Sequence, residues 1–279
     1  MARTTGTVGV DGAELYYEVA GEGEPLVLVH AGISDSRMWD AQFESFSRLY
    51  RTIRHDMRGF GRSPMVEGPY SHHADLLALL DALDVGRASL VGCSMGGGAV
   101  IDFALENPER VGALVLVGSA VGGFEFDEEP PEEWDELVAA DETGDLERVS
   151  ELEVRMWVDG PSRGPDVVDP AVRDLVREMN LIALKNEALE LGEELEPRPP
   201  AATRLSQIQA PTLVLVGEVD RPRPLAAADL LERELPNVRK TVLPGTAHVP
   251  NMERPEEFNR LVLDFLKSAK RRAESSKTP

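Results

Sequence analysis

Cysteine is nearly absent from this 279-residue sequence: Cys93 stands alone. One thiol excludes an internal disulfide and fits a reducing compartment, so a cytoplasmic protein is expected. Long hydrophobic runs are also missing. No stretch reaches about 18 uncharged apolar residues, the length a membrane-spanning helix needs. The opening MARTTGTVGVDG has no apolar signal core, which argues against Sec export. Positive charge is scarce beside negative: 29 Lys and Arg against 50 Asp and Glu, a net charge of −21. Such a field repels phosphate backbones and anionic headgroups, so neither nucleic acid nor a membrane surface is an expected partner. Much of the excess lies between Glu125 and Glu147, which reads as a solvated acidic surface. Phosphate-cradling signatures are missing as well: there is no G-x-x-x-x-G-K-S/T and no G-x-G-x-x-G. His72, His73 and Asp75 match no strong metal-binding spacing. No metal or organic cofactor is implied.

What is present is a regular alternation. GTVGVDG and AELYYEVAG predict an opening hairpin that turns near Asp11 and Gly12. PLVLVH, YRTIRHD, ASLVG, VGALVLVGSA, PTLVLVGEVD and VRKTVLPG predict strands, most of them continuous apolar runs buried on both faces. Helical patterns fall between them. Repeated strand–helix–strand units predict an α/β fold: a mostly parallel sheet with helices on both faces and ligand sites at the carboxyl ends of its strands. The alternation is interrupted between about 124 and 200 by several Glu-rich helical patterns. A structureless loop of that length is improbable in a compact domain, so a helical insertion is expected. The division is therefore 1–123 with 201–270 as a core, 124–200 as the insertion, and 271–279 as a polar, fraying tail.

The chemistry points to LVGCSMGGGAVIDFAL, where an apolar strand ends at Gly92 and a helix begins at Met95. A turn that short forces Ser94 into a strained backbone conformation. It also requires small residues two positions either side, and Gly92 and Gly96 supply them. The hydroxyl projects at a helix N-terminus, where backbone N–H groups favour developing negative charge. This is a G-x-S-x-G nucleophile elbow in its confirming strand–turn–helix context. A serine nucleophile needs a general base. His248, in GTAHVPNMERPEEF after the last predicted strand, sits on the correct edge. His30 and His55 end strands and read as structural braces. The base needs an acid, and Asp220 closes PTLVLVGEVD; Glu218, two residues earlier, is its competitor. Ser94, Asp220 and His248 follow the chain order expected of this elbow. Two oxyanion donors are expected: the Met95 N–H, and an N–H from the loop HAGISDSRMWD, for which Gly32 is favoured.

Those residues carry a resemblance. VLVHAGISDSRMWD, HDMRGFGRS, GCSMGGGAVIDFALENPERV, PTLVLVGEVD and GTAHVPNMERPEEF, in that order, resemble the α/β-hydrolase superfamily over nearly the whole chain. The resemblance implies an eight-stranded sheet, with the insertion as a cap over the active site. Within the superfamily the chain looks most like serine-nucleophile branches, the enol-lactonases and small-ester hydrolases. It departs at Ala31, where many relatives have glycine. Asp56 and Arg58 are expected to hold the oxyanion loop by charge-assisted hydrogen bonds. The expected activity is hydrolysis of a small carboxylic ester or lactone through an acyl-enzyme on Ser94. Carbon–carbon bond hydrolysis or perhydrolysis by the same three residues is the alternative, and a non-catalytic ligand receptor is a third. The partner is a small molecule; assembly into a homo-oligomer is left open. Trp39, Phe60, Phe124, Met156, Trp157 and Met179 suit a pocket or a core equally.

Overall fold

Asp11 and Gly12 both take positive φ, 45° and 82°, and close a two-residue hairpin turn whose twist matches that of the strands beside it. The hairpin strands are β1 (Arg3–Val10) and β2 (Ala13–Ala20). The computed structural model describes residues 3–275, without the Ala273 side chain. Six further strands complete the main sheet: β3 (Pro25–Val29), β4 (Arg51–His55), β5 (Ala88–Cys93), β6 (Val111–Val117), β7 (Thr212–Gly217) and β8 (Val238–Leu243). Their spatial order is β1-β2-β4-β3-β5-β6-β7-β8. β1–β2 and β2–β4 pair antiparallel; every other neighbouring pair is parallel.

The chain leaves β3 outward to β4 and returns across it to β5. β3 and β5 are therefore the neighbours where the winding reverses, and their carboxyl ends open a crevice between diverging loops. Helices α1 (Asp40–Phe46), α2 (His72–Ala82), α3 (Met95–Glu106), α7 (Pro222–Glu234) and α9 (Pro255–Ser275) cover the sheet. Strict alternation along the strands divides the core. Val27, Val29, Leu90, Leu114, Leu116, Val214 and Val216 face α2, α3 and α7 through Leu76, Val100, Phe103 and Leu231. Leu26, Leu28, Val91, Val115, Val117, Leu213 and Leu215 face α1 and α9 through Phe43, Phe46, Phe258 and Val262. Burial of each such side chain stabilises by roughly 1.5–3 kcal/mol.

Helices α4 (Trp134–Glu142), α5 (Leu146–Val154) and α6 (Pro170–Glu187) fall between β6 and β7, the segment expected to be helical. A π-helical turn, Arg155–Asp159, extends α5. Asp145 and Asp169 cap α5 and α6 by accepting from the Arg148 and Ala171 N–H groups. The segment also forms a second, two-stranded sheet: Glu193–Glu194 pair in parallel with Pro69–Tyr70. At the other end, α9 corrects an expectation. Residues 271–275, read as part of a fraying tail, continue the helix to Ser275. KSAKRRAES contains no breaker and several strong helix formers, and Leu266 and Ala269 anchor that face of the helix. Residues 276–279, the rest of that tail, lie outside the described residues.

Candidate active site

A single residue, Ser94, separates β5 from α3. Its φ of 51° and ψ of −116° are sparsely populated for a residue with a Cβ, and such strain persists only where neighbours over-determine it. They do so here. The Ser94 N–H donates to the Val117 carbonyl at 2.9 Å, and its carbonyl accepts from Gly98 and Ala120, each at 3.0 Å. Both expected glycines are sterically required. A Cβ on Gly92 would overlap the Gly96 carbonyl, and one on Gly96 would overlap the carbonyls of Val29 and His30. α3 is thus pressed against the ends of β3 and β5, and the serine rides on that contact.

Asp220 lies three residues beyond β7, and His248 lies in the loop after β8. The structure joins them: His248 Nδ1 stands 2.9 Å from Asp220 Oδ2 and 3.1 Å from Oδ1. Their side chains are 3% and 1% exposed, so the bond is shielded from competing water. Asp220 Oδ1 also accepts the Arg221 N–H at 2.8 Å. The competing acid, Glu218, is exposed and accepts instead from the Gly245 N–H at 2.8 Å. Three more bonds fix the histidine loop: Ala247 N–H to Glu253 at 2.7 Å, His248 N–H to the Trp157 carbonyl at 3.2 Å, and Val219 N–H to the Thr246 carbonyl at 3.0 Å.

Contacts through β6 link this pair to the elbow. Val117 accepts from Ser94, and the next residue, Gly118, packs directly on the pair. An ideal Cβ there would lie 3.1 Å from His248 Nδ1 and 3.2 Å from Asp220 Oδ2. Cys93 Sγ, immediately before the serine, donates to the His248 carbonyl at 3.7 Å. No hydrogen bond joins Ser94 Oγ to His248 among the described residues. Rotation about the serine Cα–Cβ bond is the motion that changes that separation. Gly32 and Met95 are side by side: an ideal Cβ on Gly32 would be 3.7 Å from Met95 Cβ. The Ala31 N–H is committed to Met38 Sδ at 3.3 Å, and Met95 opens α3, where N–H groups have no intrahelical acceptor.

This combination, on this strand order, decides the family, and sequence comparison agrees. A family model described as alpha/beta hydrolase fold matches residues 24–255. The chain belongs to the α/β-hydrolase family. It is 34% identical to a 2-hydroxy-6-oxononadienedioate/2-hydroxy-6-oxononatrienedioate hydrolase of Burkholderia vietnamiensis (strain G4 / LMG 22486), over 92% of this chain and 93% of the relative. Among solved structures it resembles the enol-lactonase of Burkholderia xenovorans LB400, with a TM-score of 0.76, 26% identity, and coverage of 94% and 100% of the two chains. It also resembles Est816, an N-acyl homoserine lactone degrading enzyme, with a TM-score of 0.74, 28% identity, and coverage of 93% and 100%.

Other residues of this α/β hydrolase divide between bracing and lining. His30 Nε2 accepts the Met57 N–H at 2.9 Å, and burial pushes the imidazole pKa down, as suits a neutral brace. Asp56 holds the loop after β3 through the Ser36 N–H at 2.8 Å. Arg58 does not share that task. Its guanidinium makes a two-pronged bond to Asp75 at 2.8 and 2.9 Å, tying the Arg58 loop to α2, because α2 presents a buried carboxylate there. Burial raises the Cys93 thiol far above its ordinary range, which leaves it inert. Trp39 packs on Phe258 with ring centroids 6.0 Å apart, and Met179 is wholly buried; both are core. Trp157 is different: its ring lies 4.6 Å from that of His248, with the Arg221 guanidinium 5.5 Å from its centroid. Nothing in the sequence separates Trp157 from a core tryptophan, since its neighbour in space is 91 positions away (248 − 157). A cavity of about 230 Å³ borders Ser94 and Met95. A second, of about 370 Å³, borders Met156 and Arg221.

Proposed function

We propose that this α/β hydrolase cleaves small carbonyl substrates by nucleophilic catalysis, with Ser94 as nucleophile, His248 as general base and Asp220 as its orienting acid. The observation that carries the reading is the buried Asp220–His248 bond beside a strained serine at a helix N-terminus. Asp220 fixes the tautomer in which Nδ1 holds the proton, leaving Nε2 basic. His248 then takes the Ser94 proton as Oγ attacks the carbonyl carbon. The tetrahedral oxyanion is met by the N–H groups of Met95 and Gly32, aided by the positive end of α3. Collapse expels the leaving group, which takes its proton from the imidazolium. Water, activated by the same histidine, releases the acid and restores the serine. Residues 124–200 act as a cap, with Trp157 shielding the imidazole from bulk water.

An ester or lactone is the first substrate class, supported by the likeness to an enol-lactonase and to a lactone-degrading enzyme. Carbon–carbon hydrolysis of a vinylogous diketone is the second reading, favoured by the 34% identical relative named for such a substrate. A fluorophosphonate probe with mass mapping of the adduct tests the nucleophile: it should label Ser94, and Ser94→Ala should lower turnover by at least about a thousandfold. Near-wild-type turnover in that variant would end the proposal. A panel of aryl esters, lactones and ring-fission diketones then separates the two classes by kcat/KM.

A further inference from the structure

The cavity beside Ser94 has an unusual lining for a relative of enzymes named for dioate substrates. Three carboxylates border it: Asp102 on α3, and Glu194 and Glu196 near the end of the inserted segment. None of its lining residues is a lysine or an arginine. Two histidines also line it, and both are shifted toward the neutral form. Burial, with repulsion from His30, Arg58 and His73, lowers the His72 pKa to about 3, and burial lowers that of His73. His72 is itself incompletely satisfied: its side chain is 4% exposed, Nε2 lies 3.8 Å from Glu194, and Nδ1 has no hydrogen-bond partner. Arg204, a cation that acts on Asp102 but does not line the cavity, is bonded to Glu106 at 2.6 Å. Among the described residues, the second cavity offers no free cation either. Arg221 is bonded to Glu128 at 2.6 Å, Arg163 to Glu253 at 2.6 Å, and Arg155 faces Glu133 at 4.0 Å.

Resting on the reading of Ser94 as nucleophile, we propose that this cavity selects substrates whose far end carries a cationic nitrogen and rejects those that end in a carboxylate. An anion entering it would meet three like charges with no donor cation to offset its desolvation, and such juxtaposition is strongly unfavourable. An ammonium group would face Asp102, Glu194 and Glu196 together and relieve their mutual repulsion. Repulsion adds to desolvation here: desolvation, then Glu106 and Glu194, raises the Asp102 pKa to about 6, and desolvation, then Glu196, raises that of the half-exposed Glu194. A dioate, the kind of substrate that names the Burkholderia vietnamiensis relative, is therefore a poor substrate here.

The test is a set of three 4-nitrophenyl esters with the same three-methylene spacer: 4-(trimethylammonio)butanoate, 5,5-dimethylhexanoate and glutarate. The cationic ester should exceed glutarate in kcat/KM by at least about tenfold, with the neutral isostere between them. In Asp102→Asn/Glu194→Gln/Glu196→Gln the ratio of cationic to anionic ester should fall to within about threefold of unity, because the field of the lining is gone. Glu194→Gln/Glu196→Gln, altered only at exposed positions, should move the ratio the same way and stands in if the triple variant does not fold. Glutarate matching the cationic ester in the wild type, or a ratio unmoved by the substitutions, overturns charge selection. If none of the three esters is cleaved and the fluorophosphonate leaves Ser94 unlabelled, the nucleophile assignment falls first and this inference with it.

Discussion

Gly96 carries one of the strict demands near the elbow. Its missing side chain lets α3 approach the carbonyls of Val29 and His30, and no rotamer can relieve a clash between a Cβ and backbone. Gly96→Ala should destabilise the fold by about 1–3 kcal/mol, read as a lower denaturation midpoint at unchanged slope. It should also slow fluorophosphonate labelling of Ser94, since the elbow shifts with the helix. An alanine variant as stable and as reactive as the wild type would show that α3 has room to move away. This demand was legible in the sequence because it is local: one serine, two glycines and a strand–helix junction lie within five residues, Gly92 to Gly96. The acid was less so. Asp220 and Glu218 follow the same strand within three residues of its end, and only the tertiary fold turns one toward the imidazole and the other toward the Gly245 N–H.

At the scale of elements, the histidine is held by a loop that has almost no regular structure. What fixes it is a partly buried ion pair: Glu253, in the short helix α8 (Pro250–Glu253), accepts the Ala247 N–H and bonds Arg163. Arg163, from the turn after the π-helical segment, reaches the Val158, Asp159 and Gly245 carbonyls as well. One guanidinium thus joins the helical segment between β6 and β7 to the histidine loop. Glu253→Gln keeps an acceptor for Ala247 but leaves Arg163 without its counter-ion. We expect a loss of about 3 kcal/mol and a fall in kcat larger than any rise in KM, because the imidazole is displaced more than the cavity. Thermal melts and steady-state kinetics check both; a kcat unchanged beside a lowered melting temperature would make the pair purely structural. The strands and most helices were readable from apolar periodicity, since each buries faces that alternate at a fixed period. The ion pair was not: Arg163 and Glu253 are 90 positions apart, and charges carry no periodic signal.

For the molecule as a whole, burial of neutral imidazoles sets a pH dependence. His55, at the end of β4, is wholly enclosed; burial, then repulsion from His30 and His72, lowers its pKa to about 3. In the unfolded chain the same group titrates near pH ~6.5. Above that pH neither state holds the proton, and its burial carries no pH-dependent penalty. As pH falls below it, the unfolded chain takes up a proton that the folded one refuses, so stability is lost progressively down to about pH 3. The slope is about 1.4 kcal/mol per pH unit for this one group. Carboxylates with raised values, Asp102 among them, oppose it over part of the window. The comparison is therefore between chains: His55→Gln should lose less stability than the wild type between about pH 6.5 and pH 4, by that slope. Denaturant melts at several pH values measure it, and parallel curves for the two proteins would refute the assignment.

The sequence by itself determined the strand–helix alternation, the serine elbow, the order of serine, acid and histidine, and the acidity of the surface. Each of these is written within a short stretch of chain or in composition, where covalent neighbours and fixed periods decide the outcome. Only the tertiary structure decided which carboxylate meets His248, that the Trp157 ring packs on it, that Arg58 turns to Asp75, and that three acids and, among the described residues, no cation line the cavity at Ser94. Those facts depend on segments tens to more than a hundred residues apart converging at one sheet edge, and convergence is a property of packing, not of any stretch of sequence read alone.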